Sequence, residues 1–533
     1  MLNKLYKGGK WTTAAWLTVV LPIMGIEWIL FKCCYPDADF FTDSYAYIDA
    51  AIDRDAISYR PIGYSLFLRV VHALSASDTL VVTLQYLLLQ GAGLGLVLTL
   101  RRWCGLREGV VAVLMLFLLA NPLIPYLCNY ISSDALFVGL SLIWLTVLMG
   151  LWRSPAWWRL GLQAVLLFLI FNIRYAALFY PAVAVLTVLL AASGGKFASA
   201  RRKWLFSLAG VVGSVGVVVA GTLLIKAETK RETGADLFSA FSGWQIANNA
   251  LNLYPHIPVD TAGLPSAECR ELVGIVRNYF HGGGAEDSGG GTMAVAGHAG
   301  AAGRMSPPEE DKVEVGAAET RPSPSVTTGY MWMRSSPLHL YLRAYQRRYR
   351  LSYFDAWNRV GVVFSEYGYY VTRKHPGAFL RYYGWPSAST FFWTDLDVFG
   401  VYNEGKPDVD PLAAKWFRYP GVRLRVWSAT IQGMLLAPLP MLYFLLNIAF
   451  VGAALLFLPF RVLRERDPVF TGSFRLASAF LLANAFFSIF ASPSVFRYQA
   501  LPMTVLFVFA VCAIAKSRLF SVNWVKSVND ARS

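Results

Sequence analysis

Charge is scarce in this chain. Only 15% of its 533 residues are Asp, Glu, Lys or Arg, against about 25% in ordinary soluble domains. A water-facing surface over most of the molecule is thereby excluded. Acids are rarer than bases, 33 against 48, and cysteine and histidine number 6 each. None of the Cys or His residues falls at ligand spacing, so a zinc site is not expected. P-loop, Rossmann, GxSxG and HExxH patterns are missing from any supporting context. The GAGLG run at 91–95 lies inside an apolar block and reads as a helix-packing patch. The first apolar block lacks a small-residue cleavage site and runs at once into polar chain, which reads as a retained helix.

Apolar sequence is what the chain has, at 56% of its residues. It comes in blocks long enough to cross a bilayer, which takes about 20 residues each. The expectation is an all-α polytopic membrane protein of about ten transmembrane helices. They fall near 12–34, 79–100 and 109–121, then one ending near 151, then 158–172, 176–192, 205–225, 435–458, 472–491 and 499–516. Basic residues cluster in alternate connections: Lys4, Lys7 and Lys10, then Arg101, Arg102 and Arg107, Arg153 and Arg159, the run 201–203, then Arg461, Arg464 and Arg466, and finally Lys516, Arg518 and Lys526. By the positive-inside rule these connections face the cytoplasm, with both chain ends. The net charge of +15 then serves orientation and anionic lipid rather than nucleic acid.

Three parts follow. Residues 1–225 form a transmembrane core with a first outer loop at 35–77. Residues 226–434 form an α-rich extracytoplasmic region holding a Gly-, Ala-, Ser- and Pro-rich insertion at 282–325, read as flexible. Residues 435–533 supply the last helices and a cytoplasmic tail.

The first outer loop carries six acids, Asp37, Asp39, Asp43, Asp49, Asp53 and Asp55, beside Arg54, Arg60 and Arg69. Phe41, Tyr45, Ile48 and Ile52 recur at helical spacing, which predicts an amphipathic helix on the membrane face with its carboxylates turned to water. Residues 62–74 read as a second interfacial helix. A carboxylate here can deprotonate a hydroxyl as general base, or a pair can hold a divalent cation such as Mg or Mn against a phosphate. A merely solvated loop is the other reading. Arg60, Arg174 and Arg497 fall near the outer face, where an arginine grips phosphate oxygens in a fork. Snorkelling to the interface is the alternative. The aromatic segment 376–402 can stack on sugars or rest at the membrane surface. The stretch 243–257, GWQIANNALNLYPHI, has no readable role.

The pattern Asp43-Ser44…Tyr47-Ile48…Ala50…Arg60-Pro61-Ile62-Gly63-Tyr64 resembles the first outer loop of the GT-C superfamily of polytopic glycosyltransferases. Within it, the pattern resembles the protein O-mannosyltransferase and bacterial aminoarabinose transferase types. Pro122, Tyr126, Ser133 and Asp134 resemble the family's stretch before its fourth helix. Asn172 and Arg174 resemble its Arg-bearing helix turn. The resemblance covers about 12–225. The WWDxG motif of oligosaccharyltransferases is missing, and the insertion matches nothing in the family.

The resemblance implies transfer of a sugar, with inversion, from a polyprenyl-phosphate donor to an extracytoplasmic acceptor, at the outer face of the inner membrane. Asp43 is then the catalytic base. Asp37, Asp39, Tyr47, Arg60, Tyr64, Asp134, Arg174 and Arg497 are the candidate substrate-binding residues. Partners are the lipid-borne donor, the acceptor and membrane lipid. A transporter or flippase using the same charges as an ion relay, and a non-catalytic scaffold, remain the competing classes.

Overall fold

The computed structural model describes residues 6–7, 10–194, 197, 199–281, 325–457 and 467–517. Of the insertion expected at 282–325, residues 282–324 lie outside them, as do Lys4, Arg461, Arg464, Arg466, Arg518 and Lys526. The described chain is all-α apart from a two-residue antiparallel pair, Tyr6–Lys7 with Lys10–Trp11. Among the described residues eight helices are long and apolar enough to cross a membrane, or up to nine with one bent pair.

In chain order the first half runs α1 (Thr13–Cys34), α2 (Thr42–Asp53), α3 (Gly63–Leu74), α4 (Asp78–Cys104), α5 (Glu108–Ala120), α6 (Leu123–Asn129), α7 (Asp134–Arg153) and α8 (Trp157–Ile173). Then come α9 (Tyr180–Ser193), entered through a 3-10 turn at Tyr175–Phe179, and α10 (Ala200–Thr233). All ten expected segments are helical, but two fall short of a plain span. Helix α8 is apolar but only 17 residues long, and α5 with α6 is bent by 40°. The bend has a local cause. Pro122 holds Asn121 extended, and the Leu123 amide donates to Asn121 Oδ1 (3.1 Å). Helix α10 runs past its expected end at 225. At about 1.5 Å per residue its 34 residues outreach any bilayer. Arg359 Nε donates to the carbonyl of Thr233 (2.8 Å) there.

The loops expected on one side do gather at one end of the bundle. Asp39 N donates to Asn129 O (2.9 Å) and Ile131 N to Asp39 O (3.0 Å), tying the first loop to the α6–α7 connection. The opposite end carries basic connections. Trp16 Nε1 donates to Glu108 (2.8 Å), Arg101 pairs with Glu108 (2.9 Å) and Lys516 with Asp467 (2.5 Å).

Helix α2 forms as expected, but its orientation corrects the sequence reading. Ser44, Tyr47, Ile48 and Ala51 are buried in protein, and Ile52 is exposed. Asp37 and Asp39, just before the helix, are buried and the Asp43 side chain is only 14% exposed, so these carboxylates do not face water, whereas Asp53 at the end of α2 is exposed as expected. The turn signal of Pro61 and the contact at Gly63 redirect the chain inward. A Cβ on Gly63 would stand 2.5 Å from the carbonyl oxygen of Asn172, so only glycine lets α3 cross the end of α8. The 12-residue α3 is too short to span, as expected, and exposes Leu66, Val70 and Leu74.

The region after α10 has its own apolar core. It is built from α11 (Ala240–Leu253), α12 (Ala267–His281), α13 (Pro337–Tyr349) and α14 (Tyr353–Lys374). Helices α11 and α14 cross in near backbone contact, because Gly243 lies against Gly361 and Gly361 against Ala240. The chain returns through α15 (Trp385–Phe392), then α16 (Leu439–Phe457), α17 (Pro468–Ala491) and α18 (Ala500–Lys516).

Candidate functional site

Five charged side chains meet where the two cores touch. Asp43, in the first turn of α2, accepts two hydrogen bonds at Oδ1 from Arg60, from Nη2 (2.6 Å) and Nε (3.1 Å). Its other oxygen faces Arg497 Nη2 (3.4 Å). Asp134, at the first position of α7, is buried and pairs with Arg174. Arg497 Nε lies 3.5 Å from Asp134 Oδ2. Ser132 Oγ donates to the same carboxylate (2.9 Å). Residues 43, 60, 134, 174 and 497 therefore form one network, drawn from positions more than 450 residues apart in sequence.

Aromatic rings hold the guanidiniums in place. Arg60 lies over Phe241 (5.4 Å) and Trp332 (5.8 Å). Arg174 lies over Tyr498 (4.0 Å), and Arg497 over Phe41 (4.1 Å). Three guanidiniums face two carboxylates, so the cluster carries one positive charge in excess. Burial alone would push the Asp43 carboxyl up, but Arg60 and Arg497 outweigh it and hold the pKa below the ordinary 3.8. Asp43 is therefore ionised throughout the neutral range.

Two cavities meet at this network. One, about 260 Å³, is lined by Asp43, Arg60, Arg497, Trp332, Asp397 and Glu404, toward the second core. The other, about 210 Å³, is lined by Asp43, Asp134, Arg174, Leu178 and Phe487, toward the membrane helices α9 and α17. Asp43 and Arg60, with Phe41, Tyr59 and Tyr498, line both.

The remaining candidates separate from the network. Tyr47 stays near it, sharing a hydrogen bond with Ser133 (2.9 Å) and lining the smaller cavity. Tyr64 does not; it is fully buried and donates to Gln85 Oε1 (2.8 Å). Asp37 is engaged by Arg425, whose amide N (2.6 Å) and Nη2 (2.7 Å) both donate to it. Asp39 accepts from the Asn403 amide (2.7 Å) and faces Gln432 (3.4 Å). Both acids thus clasp the 396–432 segment over the first loop rather than facing a cavity. Asp78, not singled out in the sequence, does the same by accepting from Tyr419 OH (2.9 Å) and the Ala38 amide (2.7 Å).

Sequence reasoning missed the aromatic wall. Tyr498 stood beside the chosen Arg497, and that adjacency was the available signal. Phe241 and Trp332 had none, because their approach depends on α11. The 243–257 stretch explains it. Gln245 donates to Thr327 O (2.8 Å), and Asn248 to Val326 O (3.0 Å) while its Oδ1 accepts from the Tyr330 amide (3.0 Å). These amides peg the returning chain that bears Trp332. The 376–402 segment is split between helix packing and a cavity wall. Trp393 packs on Phe444 (5.6 Å), and Ser387 donates to Ile489 O (2.8 Å), at the ends of α16 and α17. Asp397, Val398 and Phe399 line the larger cavity.

Among the described residues no group of three or more His, Cys, Asp or Glu could hold a metal ion. The donor chemistry agrees, since both carboxylates of the network are engaged by arginines. A divalent cation would have to displace them, so the residues here do not fit Mg or Mn. No family model matches the chain, and neither a curated protein nor a solved structure matches it.

Proposed function

We propose that the chain is an integral-membrane glycosyltransferase that moves a sugar from a polyprenyl-phosphate donor to an acceptor hydroxyl outside the cytoplasm. The observation that carries this reading is Asp43, set between two cavities inside a cluster with one excess positive charge. The excess suits a phosphate ester. The smaller cavity, with Arg174 and the apolar Leu178 and Phe487 of the membrane helices, suits a lipid-borne phosphate. The larger one suits the acceptor.

In this reading the acceptor oxygen attacks the anomeric carbon and forms the new C–O bond. The bond to the phosphate oxygen breaks, and the phosphate departs with the electron pair, held by Arg60 and Arg174 of the smaller cavity. Attack opposite the leaving group inverts the configuration. Asp43 takes the hydroxyl proton late, once bond formation has made that proton acidic, which a carboxylate of low pKa can still do. The charges meet at the end of the bundle, not at the midplane where an ion relay would place them.

The test uses purified membranes and radiolabelled polyprenyl-phosphate sugars. Asp43→Asn is expected to lower transfer by about 100-fold or more. Full activity in that variant would remove Asp43 from the reaction.

A further inference from the structure

Resting on that reading, we propose that the acceptor is a neutral carbohydrate, and that Trp332 with the 397–404 loop forms its binding subsite in the larger cavity. Two independent features point there.

The first is a stack of indoles. Trp244 is fully buried and stacks on Trp357 at 3.9 Å and 13°. Trp357 lies parallel to Trp332, offset, at 6.3 Å and 15°. Trp332 ends the stack in the cavity with 40% of its surface exposed, although Arg60 covers part of its ring. Exposing a large, rigid aromatic face inside a cavity forgoes burial, so the ring is placed for an occupant. His339 Nε2 donates to Met331 O (2.9 Å) and fixes the chain beside it.

The second is local backbone strain. Asp397 (φ 51°), Asn403 (φ 50°) and Glu404 (φ 53°) all adopt the left-handed region, which residues bearing a Cβ rarely enter. Such strain concentrates at binding sites and persists only where the surroundings enforce it. Here the enforcement is visible. Asp39 accepts from the Asn403 amide (2.7 Å), and Asn403 Nδ2 donates to Lys406 O (2.7 Å) and Asp408 O (2.9 Å). The conformation sets Asp397 and Glu404 on the cavity wall.

An indole face beside carboxylates matches a sugar ring. The C–H face of the ring stacks on the indole, and its hydroxyls donate to carboxylates, which only accept. Charge selects neutrality. Arg60, Arg334 and Arg497 line the cavity against Asp43, Asp397 and Glu404, and Glu404 is itself paired with Lys406 (2.9 Å), so the two signs nearly balance and neither a cationic nor an anionic acceptor meets a strongly complementary field.

The experiment is saturation-transfer difference NMR on the full chain in lipid nanodiscs. The probes are methyl glycosides of glucose, mannose, galactose and arabinose, with a Ser-containing tripeptide as comparison. Wild-type protein is expected to transfer saturation to at least one glycoside and not to the peptide. Trp332→Ala is expected to weaken that binding by about tenfold or more, while Trp332→Phe, which keeps an aromatic face and the fold, retains most of it. Silence from every glycoside, or equal binding in Trp332→Ala, overturns the subsite. The two proposals fail separately. Trp332-dependent glycoside binding without transfer from any polyprenyl phosphate would sink the transferase reading alone. Transfer to a peptide or lipid without glycoside binding would sink the carbohydrate subsite alone.

Discussion

Asp39 and Asp43 lie four residues apart and are driven in opposite directions. Arginines hold the Asp43 carboxyl below its ordinary value. Burial raises Asp39 from 3.8 to about 7, against the hydrogen bonds from Asn403 and Gln432 that favour its charge. An acid whose pKa is raised on folding contributes stability that is fully present below its unfolded value and lost as pH rises through the folded one. The Asp39 contribution is therefore largest below about pH 4 and gone above about pH 7. Asp39→Asn keeps an oxygen for the Asn403 amide and has no charge to bury. The melting temperature of this variant in detergent is expected to lose the part of the decline between pH 4 and 7 that Asp39 causes. A variant whose curve parallels the wild type across that range would show that Asp39 does not titrate there.

At the scale of elements, the site exists because α3 and α8 cross closely. The Gly63 position against the Asn172 carbonyl brings Arg60, just before α3, near Arg174, just after α8. A methyl group at that contact would force the helices apart. Gly63→Ala is expected to lower stability by about 1–3 kcal/mol and to reduce transfer beyond that loss of folded protein. The check is transfer activity per folded molecule beside thermal unfolding. Normal activity at reduced stability would mean that the crossing does not set the arginine spacing. The α11 amides act at the same scale, since Gln245 donates to the carbonyl of Thr327, and Asn248 and Asn252 both donate to that of Val326, pegging the returning backbone.

For the whole molecule, sidedness decides between readings. The acidic loop and the described parts of the 226–434 region sit at one end of the bundle and the Glu108 and Asp467 ion pairs at the other. In a background without native cysteines, Asp53→Cys is expected to react with a membrane-impermeant maleimide in intact cells. Arg102→Cys is expected to react only after permeabilisation. Both positions are exposed. The reverse pattern would place Asp43 on the cytoplasmic side and remove the proposed function.

The sequence by itself determined the helical class, the order of the spans and the gathering of the acid-bearing loops at one end. Each follows from local properties, namely block length, hydropathy and the position of Lys and Arg. It also marked Arg60, Arg174 and Arg497, because charge beside an apolar span is costly enough to stand out, while Asp43 and Asp134 were marked by the motifs they stand in. Only the tertiary structure decided which acids face a cavity. Asp37, Asp39 and Asp43 look alike in a six-acid loop, yet two of them accept from Arg425 and Asn403, nearly 400 residues away. The inward turn of α2 and the aromatic wall of Phe241 and Trp332 likewise depend on contacts between distant segments, and no local pattern carries their register.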